Sequence, residues 1–273
     1  VLAVTMVPLA MVAWADGAVH AKEREAILRA AEGNGIAPGS IARQLLAEPQ
    51  VDRIFAACRS PQRATALADL SARDPRLQPV ALDVSDEESI RAAAATVASA
   101  TPRLHLVINC AGILHDTASG IAPEKRLADV RPESLTASFA VNAFGPLLVA
   151  RHFEGLLAHQ ERAVFASISA RVGSIGDNRL GGWYAYRGAK AAQNMFTKTL
   201  SIEWARSRRN VICVALHPGT TDTDLSRPFQ ANVAPERLFS SERTVRQLLA
   251  VIDALQPADT GRFLGWDGAE IPW

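Results

Sequence analysis

The sequence predicts an α/β fold: a doubly wound parallel sheet with helices on both faces, forming a three-layer sandwich. From Val51 onward, short runs rich in apolar and β-branched residues alternate with longer runs of helical pattern. Such alternation favours a parallel sheet with right-handed crossovers. Some of the short runs are apolar throughout, for example Leu106-Val107-Ile108, which is typical of strands buried on both faces.

The alternation divides into predicted strands and predicted helices. The strands are Arg53–Cys58, Gln78–Asp83, Leu104–Asn109, Ala163–Ser167, Val211–Leu216 and Arg262–Leu264. The helices are Pro61–Ala72, Glu87–Ala98, Pro132–His159, Tyr186–Arg206 and Ser241–Ala254.

Residues 1–47 have a different pattern, and we predict an atypical helical N-terminal segment there, followed by one domain at residues 48–273. Apolar residues recur at helical spacing in Ala21–Glu32. Glycines and a proline then interrupt the pattern before a further helix at Ser40–Leu46. We also predict a helix at Pro8–Ala15, so helices replace the first strand of the sheet.

Composition and charge indicate a globular protein that binds neither nucleic acid nor membranes. The 273 residues are 48% hydrophobic and 21% charged, with a net charge of +1. The apolar stretch Val1–Ala15 is too short to span a bilayer as a helix. Ala13-Trp14-Ala15 resembles a signal-peptide cleavage site, but no basic segment precedes it and Pro8 interrupts the run. Three cysteines without a CxxC pair favour reduced thiols, so we expect a cytoplasmic protein.

Small and polar residues follow several predicted strands, at the edge of the sheet where open α/β folds bind ligands. The three segments are Asn109-Cys110-Ala111-Gly112, Ser167-Ile168-Ser169 and His217-Pro218-Gly219-Thr220-Thr221-Asp222-Thr223. Because the strands are parallel, we expect these segments to converge on one site.

Tyr186 and Lys190 are four residues apart at the start of a predicted helix, so their side chains share one helix face. A lysine ammonium beside a phenol favours the phenolate and lowers the phenol pKa. A phenol tuned in this way can exchange a proton near neutral pH, as general acid–base catalysis requires. A nearby serine hydroxyl can hold a substrate carbonyl oxygen.

The order of these motifs resembles the short-chain dehydrogenase/reductase family from about Val51 to Trp273. The resemblance implies a Rossmann-like oxidoreductase that transfers a hydride between NADP(H), with NAD(H) as the alternative, and a carbonyl or alcohol substrate. It also implies a small-molecule substrate and a homo-oligomer. Gly181–Arg187 and Gly261–Trp273 resemble the branch of C-factor and sniffer-type carbonyl reductases.

The resemblance assigns roles to individual residues. The catalytic set is Asn142, Ser169, Tyr186 and Lys190, in which Tyr186 donates the proton and Asn142 anchors a proton relay. The cofactor-binding set shares Tyr186 and Lys190 with the catalytic set. It also contains Asp83 and Val84 at the adenine, Asn109, Ala111 and Gly112 of the NNAG-like segment, and Pro218, Gly219, Thr221 and Thr223 near the nicotinamide. Cys110 stands where the family's second asparagine belongs.

The choice of the catalytic serine and the choice between NADP and NAD depend on particular positions in the sequence. Ser169 lies 17 residues before Tyr186, which is longer than the usual family gap, so Ser174 is an alternative, and Ser167 is expected to face the sheet. Arg59 follows the second strand of the family fold, where a guanidinium suits a 2′-phosphate. Arg59 therefore favours NADP over NAD.

The family's first strand and its TGxxxGxG loop, which cradles the pyrophosphate, have no match in this chain. The segment from Pro8 to Leu46 instead resembles helical tellurite-resistance TerB-like domains. On that resemblance Asp16 and Glu23 could bind a metal, but we interpret them as a helix cap and a solvated acid and predict no metal site.

The missing first strand has a structural consequence, because that strand would lie between the second and fourth strands. Either N-terminal residues fill the gap, for example a strand at Val1–Thr5, or Arg53–Cys58 pairs directly with Leu104–Asn109, or the chain is unstable. We expect direct pairing and weakened cofactor binding. The alternative function is a cofactor-deficient binding or signalling module built on a reductase scaffold.

Overall fold

The computed structural model of the protein describes residues 47, 51–116, 120–207 and 210–273. The strands are β1 Ile54–Cys58, β2 Leu77–Ala81, β3 Leu106–Asn109, β4 Ala163–Ile168, β5 Val211–His217, β6 Thr220–Thr221, β7 Leu238–Phe239 and β8 Phe263–Gly265. The helices are α1 Thr65–Arg73, α2 Glu87–Ala100, α3 Pro132–Phe139, α4 Gly145–Leu157, α5 Tyr184–Arg206 and α6 Ser241–Ala254. A π-helical turn at Ala140–Phe144 joins α3 to α4.

Every pair of strands in the described residues is parallel, as predicted. β1 pairs with β2, and a second sheet has the order β3-β4-β5-β8. A short pair, β6 with β7, lies beyond the end of β5. Within the described residues, no helix combines the length and the apolar character needed to cross a membrane.

The β1–β2 sheet and the four-stranded sheet form one layer between two layers of helices. On one face, Ile54 of β1 and Leu106 of β3 share a core with side chains of α1 and α6. On the other face, Phe55 of β1 and Val107 of β3 share a core with α2, α4 and the end of α5. Because alternate residues of both strands enter both cores, the three-layer sandwich predicted from the sequence is confirmed.

The predicted pairing of Arg53–Cys58 with Leu104–Asn109 is wrong. Among the described residues β1 makes a ladder only with β2, and β3 only with β4. Side chains of β1 and β3 enter the same two cores, so the two sheets share one layer although the two strands form no ladder with each other among the described residues.

The predictions for residues 1–46 fall outside the described residues. They comprise the helices Pro8–Ala15, Ala21–Glu32 and Ser40–Leu46, and the alternative strand at Val1–Thr5. They also comprise the TerB-like segment with Asp16 and Glu23.

The long helix predicted over Pro132–His159 is interrupted by the π-helical turn. Pro146 cannot donate a backbone hydrogen bond, and the Gly145 N–H bonds to the carbonyl of Ala140, five residues back. Gly145 also lies against the segment that follows β2, since a Cβ built on it would be 2.8 Å from the Val84 carbonyl oxygen. This close approach fixes the turn that carries Asn142.

Trp204 near the end of α5 anchors one of the two cores, and we expect Trp204→Ala to cost about 3–5 kcal/mol of unfolding free energy. The side chain is 1% exposed, its ring meets Phe165 edge-to-face at 5.7 Å, and its Nε1 donates to Glu154. Urea unfolding measures the loss. Trp204→Phe, which keeps most of the buried area, should lose less, and a cost below about 1 kcal/mol for the alanine variant would contradict the packing described here.

Candidate active site

A cavity of about 680 Å³ opens at the carboxyl ends of the sheet strands. Most of the residues predicted to act in catalysis or cofactor binding line it. They are Arg59, Asp83, Val84, Ala111, Gly112, Ser169, Tyr186, Lys190, Pro218, Gly219, Thr221 and Thr223. The parallel topology therefore brings together segments that are far apart in the chain.

Lys190 is buried in the cavity wall and its ammonium position is fixed. Its Nζ donates to the Ile168 carbonyl oxygen and to Gln193 Oε1, each at 2.9 Å. It lies 5.8 Å from the centre of the Tyr186 ring. Burial lowers the pKa of Lys190 to about 7, so its charge changes within the physiological range.

Tyr186 has a pKa that is shifted in the direction opposite to that expected from the Tyr–Lys spacing. The residue is 9% exposed, and burial raises the pKa of its phenol. Burial takes the phenolate out of water and so disfavours the charged form relative to the protonated phenol. The phenol therefore keeps its proton at neutral pH and is suited to donate it.

Ser169 is the only one of the three candidate serines that lines the cavity. It is buried, and its Oγ donates to Asn194 Oδ1 at 2.6 Å. Ser174 is also buried, but its Oγ accepts the N–H of Asp177. Ser167 lies in β4, opposite Asn109 in the strand register. The position of Ser169 supports its selection as the residue that orients the substrate carbonyl.

Asn142 does not line the cavity but holds the loop that does. Its Nδ2 donates to the Ile113 carbonyl oxygen at 2.8 Å, and its Oδ1 accepts the Ile113 N–H at 3.0 Å. A Cβ built on Gly112 would be 3.3 Å from Asn142 Oδ1 and 4.0 Å from Lys190 Nζ. Asn142 therefore anchors the loop after β3, and its proposed part in a proton relay stays a prediction.

One end of the cavity lies after β1 and β2, where the adenine of the cofactor was predicted to bind. Arg59 is exposed at the cavity wall. The Asp83 carboxylate accepts the N–H and the hydroxyl of Ser85, at 2.9 and 2.6 Å. Asn109 does not line the cavity: it is 1% exposed, and neither atom of its amide has a hydrogen-bond partner among the described residues. Its role as a cofactor ligand stays a prediction.

Gly219 in the Pro-Gly segment has a backbone that favours glycine. Its φ is +75°, and a Cβ would be 2.6 Å from the Phe239 ring. The turn therefore exposes the backbone after β5 to the cavity without a side chain in the way. In the described part of the chain, no group of three or more His, Cys, Asp or Glu residues could hold a metal ion.

The cavity wall also contains three residues to which the sequence assigned no role, although His217 belongs to a segment that was expected to reach the site. His217 accepts the Arg171 N–H at its Nδ1, and burial together with the charge of Arg171 lowers the pKa of His217 to about 4. Trp183 and Phe229 also line the cavity, with ring centres 5.0 Å apart. Trp183 lies three residues before Tyr186, so its place at the cavity could have been suspected from position alone.

With this geometry in place, comparison with known proteins identifies the family. A family model described as short chain dehydrogenase matches residues 27–234, so the chain belongs to the short-chain dehydrogenase family of oxidoreductases. The match begins inside the segment that we separated as residues 1–47. The domain boundary at residue 48 stays a prediction.

Individual relatives agree with this assignment. Over 148 residues the chain is 38% identical to the C-signal protein of Myxococcus xanthus, covering 54% of this chain and 83% of that protein. The structure of this chain is similar to that of a carbonyl reductase from chicken fatty liver (32% identity, TM-score 0.76, 86% of this chain and 95% of that chain). It is also similar to the carbonyl reductase Sniffer of D. melanogaster (27% identity, TM-score 0.75, 85% of this chain and 93% of that chain). The family and the doubly wound α/β fold predicted from the sequence are confirmed.

Proposed function

We propose that the protein is an NADP-dependent carbonyl reductase. The observation that carries the proposal is the convergence of Ser169, Tyr186 and Lys190 on one cavity. The chicken carbonyl reductase was solved with NADPH bound, which supports the same cofactor here. When bound, NADPH would supply the hydride.

The residues of the cavity wall fit such a cofactor. At one end, Arg59 would bind the 2′-phosphate, and Asp83 with Val84 would hold the adenine. Near the middle, Ala111 and Gly112 present little side chain, so a ligand can approach the backbone closely. The nicotinamide would lie at the other end, against Pro218, Gly219, Thr221 and Thr223.

Each predicted catalytic residue would then have a separate role in the reduction of the carbonyl group. Tyr186, protonated at neutral pH because burial raises its pKa, donates its hydroxyl proton to the carbonyl oxygen. Protonated Lys190 stabilises the phenolate that forms. The Ser169 hydroxyl donates to Asn194 and exchanges this partner for the carbonyl oxygen, which it orients. The aromatic rings of Trp183 and Phe229 form an apolar wall that limits the access of water.

A titration of NADPH, followed by its fluorescence, tests the proposal together with NADPH consumption on a panel of aliphatic and aromatic aldehydes and ketones. We expect micromolar binding and turnover of at least one class of carbonyl. Absence of NADPH binding would refute the proposal and favour the alternative of a cofactor-deficient binding module.

Arg59 supplies a prediction about cofactor choice. Arg59→Ala should raise the Kd for NADPH by about tenfold, equivalent to about 1.4 kcal/mol, because a charge-assisted contact to the 2′-phosphate is lost. The Kd for NADH, which lacks that phosphate, should stay within twofold of wild type. Arg63→Ala is the matched control, since Arg63 is exposed nearby but does not line the cavity. An equal loss of affinity for NADPH and NADH would show that Arg59 does not bind the 2′-phosphate.

A further inference from the structure

The helix that carries Tyr186 and Lys190 begins at an unusual turn. Trp183 is the N-cap residue of α5, and its side chain makes no capping hydrogen bond. Its backbone is left-handed, with φ 53° and ψ 45°, and it is the only non-glycine residue with positive φ in the described part of the chain. Gly181 and Gly182 just before it have φ values of +64° and +66°. A residue with a Cβ is disfavoured in this conformation, so surrounding contacts must hold it there.

Glu124 makes those contacts from a distant part of the sequence. Its carbonyl oxygen accepts the Trp183 N–H at 2.5 Å. Its carboxylate Oε2 accepts the Ala185 N–H at 3.2 Å, although the two residues are 61 positions apart. Ala185 is the second residue of the helix, whose N–H is normally satisfied by the side chain of an N-cap Ser, Thr, Asp or Asn. The Glu124 carboxylate therefore replaces the missing cap at the positive end of α5.

Arg187 holds the same turn from within the helix. Its Nε donates to the carbonyl oxygens of Gly181 and Gly182, at 3.1 and 3.0 Å. Its Nη1 donates to the Val172 carbonyl oxygen at 3.2 Å. The N–H groups at the start of α5 thus bond to Glu124, and the carbonyl groups of the turn bond to Arg187.

The turn is directly connected to the reacting groups. Tyr186 is the third residue of α5 and follows Ala185, which Glu124 binds. The Trp183 ring lies 6.4 Å from the Tyr186 ring and 5.0 Å from the Phe229 ring, and all three residues line the cavity. The conformation of this turn therefore determines both the position of the phenol and the shape of one cavity wall.

Glu124 is buried, and burial of its carboxylate is unfavourable for the free energy of folding. The residue is 3% exposed, and its Oε1 has no hydrogen-bond partner among the described residues. A buried carboxylate with one oxygen unsatisfied is unfavourable for folding, so stability alone is a poor reason for its presence.

We propose that Glu124 is a positioning residue that holds the turn Gly181–Trp183 and thereby sets Tyr186 for proton transfer. The inference rests on the proposed function, since it assigns a catalytic consequence to the placement of Tyr186. Independently of catalysis, Glu124 orders the first turn of α5.

The test compares Glu124→Ala with Glu124→Gln, which keeps an acceptor oxygen for the Ala185 N–H. Asp86→Ala is the matched control, because Asp86 caps α2 in the ordinary way through the Glu88 N–H. We measure kcat and KM for carbonyl reduction, the Kd for NADPH, and amide hydrogen exchange in the first turn of α5. Glu124→Ala should lower kcat about 10- to 100-fold, leave the Kd within twofold, and accelerate exchange in that turn.

The conservative variant and the control should separate positioning from general destabilisation. Glu124→Gln should recover most of kcat, and Asp86→Ala should lose a few degrees of Tm with kcat within twofold of wild type. If Glu124→Ala does not fold, Glu124→Asp replaces it with the same expectations, since its shorter side chain withdraws the acceptor from Ala185.

Several results would overturn the inference. Wild-type kcat in Glu124→Ala would do so, as would a loss that Glu124→Gln does not recover and that extends equally to NADPH binding. If the wild-type protein reduces no carbonyl, the proposed function fails on its own, and exchange still decides the structural claim. Unchanged exchange in the first turn of α5 would then refute it, and acceleration confined to Glu124→Ala would support it.

Discussion

Replacement of Tyr186 by Phe should lower kcat for NADPH-dependent carbonyl reduction by about 10²- to 10⁴-fold, the range expected for loss of a positioned general acid. The variant keeps the ring that packs edge-to-face against Trp183 and loses only the hydroxyl. The fold and the Kd for NADPH should therefore stay at wild-type values. Steady-state kinetics measure the first effect, and thermal unfolding with a fluorescence titration measures the others.

The chain provides a closely matched control, because its other tyrosine, Tyr184, lies two residues earlier on the same helix. Tyr184 is 43% exposed and does not line the cavity. Tyr184→Phe should retain kcat within twofold of wild type. A Tyr186→Phe variant that turns over near the wild-type rate would mean that another group donates the proton.

Replacement of Lys190 by Met should lower kcat by about 10²-fold or more, because the phenolate formed at Tyr186 loses its cation. It should also change how stability depends on pH. Burial lowers the pKa of Lys190 from 10.5 to about 7. Between these values the unfolded chain binds a proton that the folded chain does not, so the lysine makes stability rise with pH across this window.

The variant lacks this titration. Wild-type stability should therefore rise relative to Lys190→Met by at most about 1.4 kcal/mol per pH unit above pH 7. Below pH 7 the difference between the two proteins should be constant, with the wild type carrying the full cost of a buried ammonium. The lost hydrogen bonds to Ile168 and Gln193 act at every pH and do not change the slope.

Denaturant unfolding at pH values from about 6 to about 9.5 measures this difference. Lys198→Met is the control, since Lys198 is an exposed lysine on the same helix that donates to the Gly261 carbonyl oxygen. The pH dependence of its stability should follow that of the wild type. Parallel curves for wild type and Lys190→Met would show that Lys190 is not desolvated in the folded protein.

Local features of the sequence determine much of the architecture. The period of the apolar residues distinguishes strands from helices, and their alternation implies parallel strands whose carboxyl ends share one edge. Gly112, Ser169 and Gly219 each follow a strand end, and Tyr186 lies at the start of a helix, so their order along the chain indicates that they meet. A spacing of four residues is enough to place Tyr186 and Lys190 on one helix face, since helix geometry depends only on the backbone.

Other features are decided only by the tertiary structure, because they depend on residues far apart in the chain. The direction of the Tyr186 pKa shift is one, since it is set by burial of the phenol in the folded protein. The π-helical turn that carries Asn142 is another, since it depends on the packing of Gly145 against Val84. The capping of α5 by Glu124 joins residues 61 positions apart. Periodicity and spacing report the local backbone, whereas desolvation and long-range hydrogen bonds arise only once the chain has folded around them.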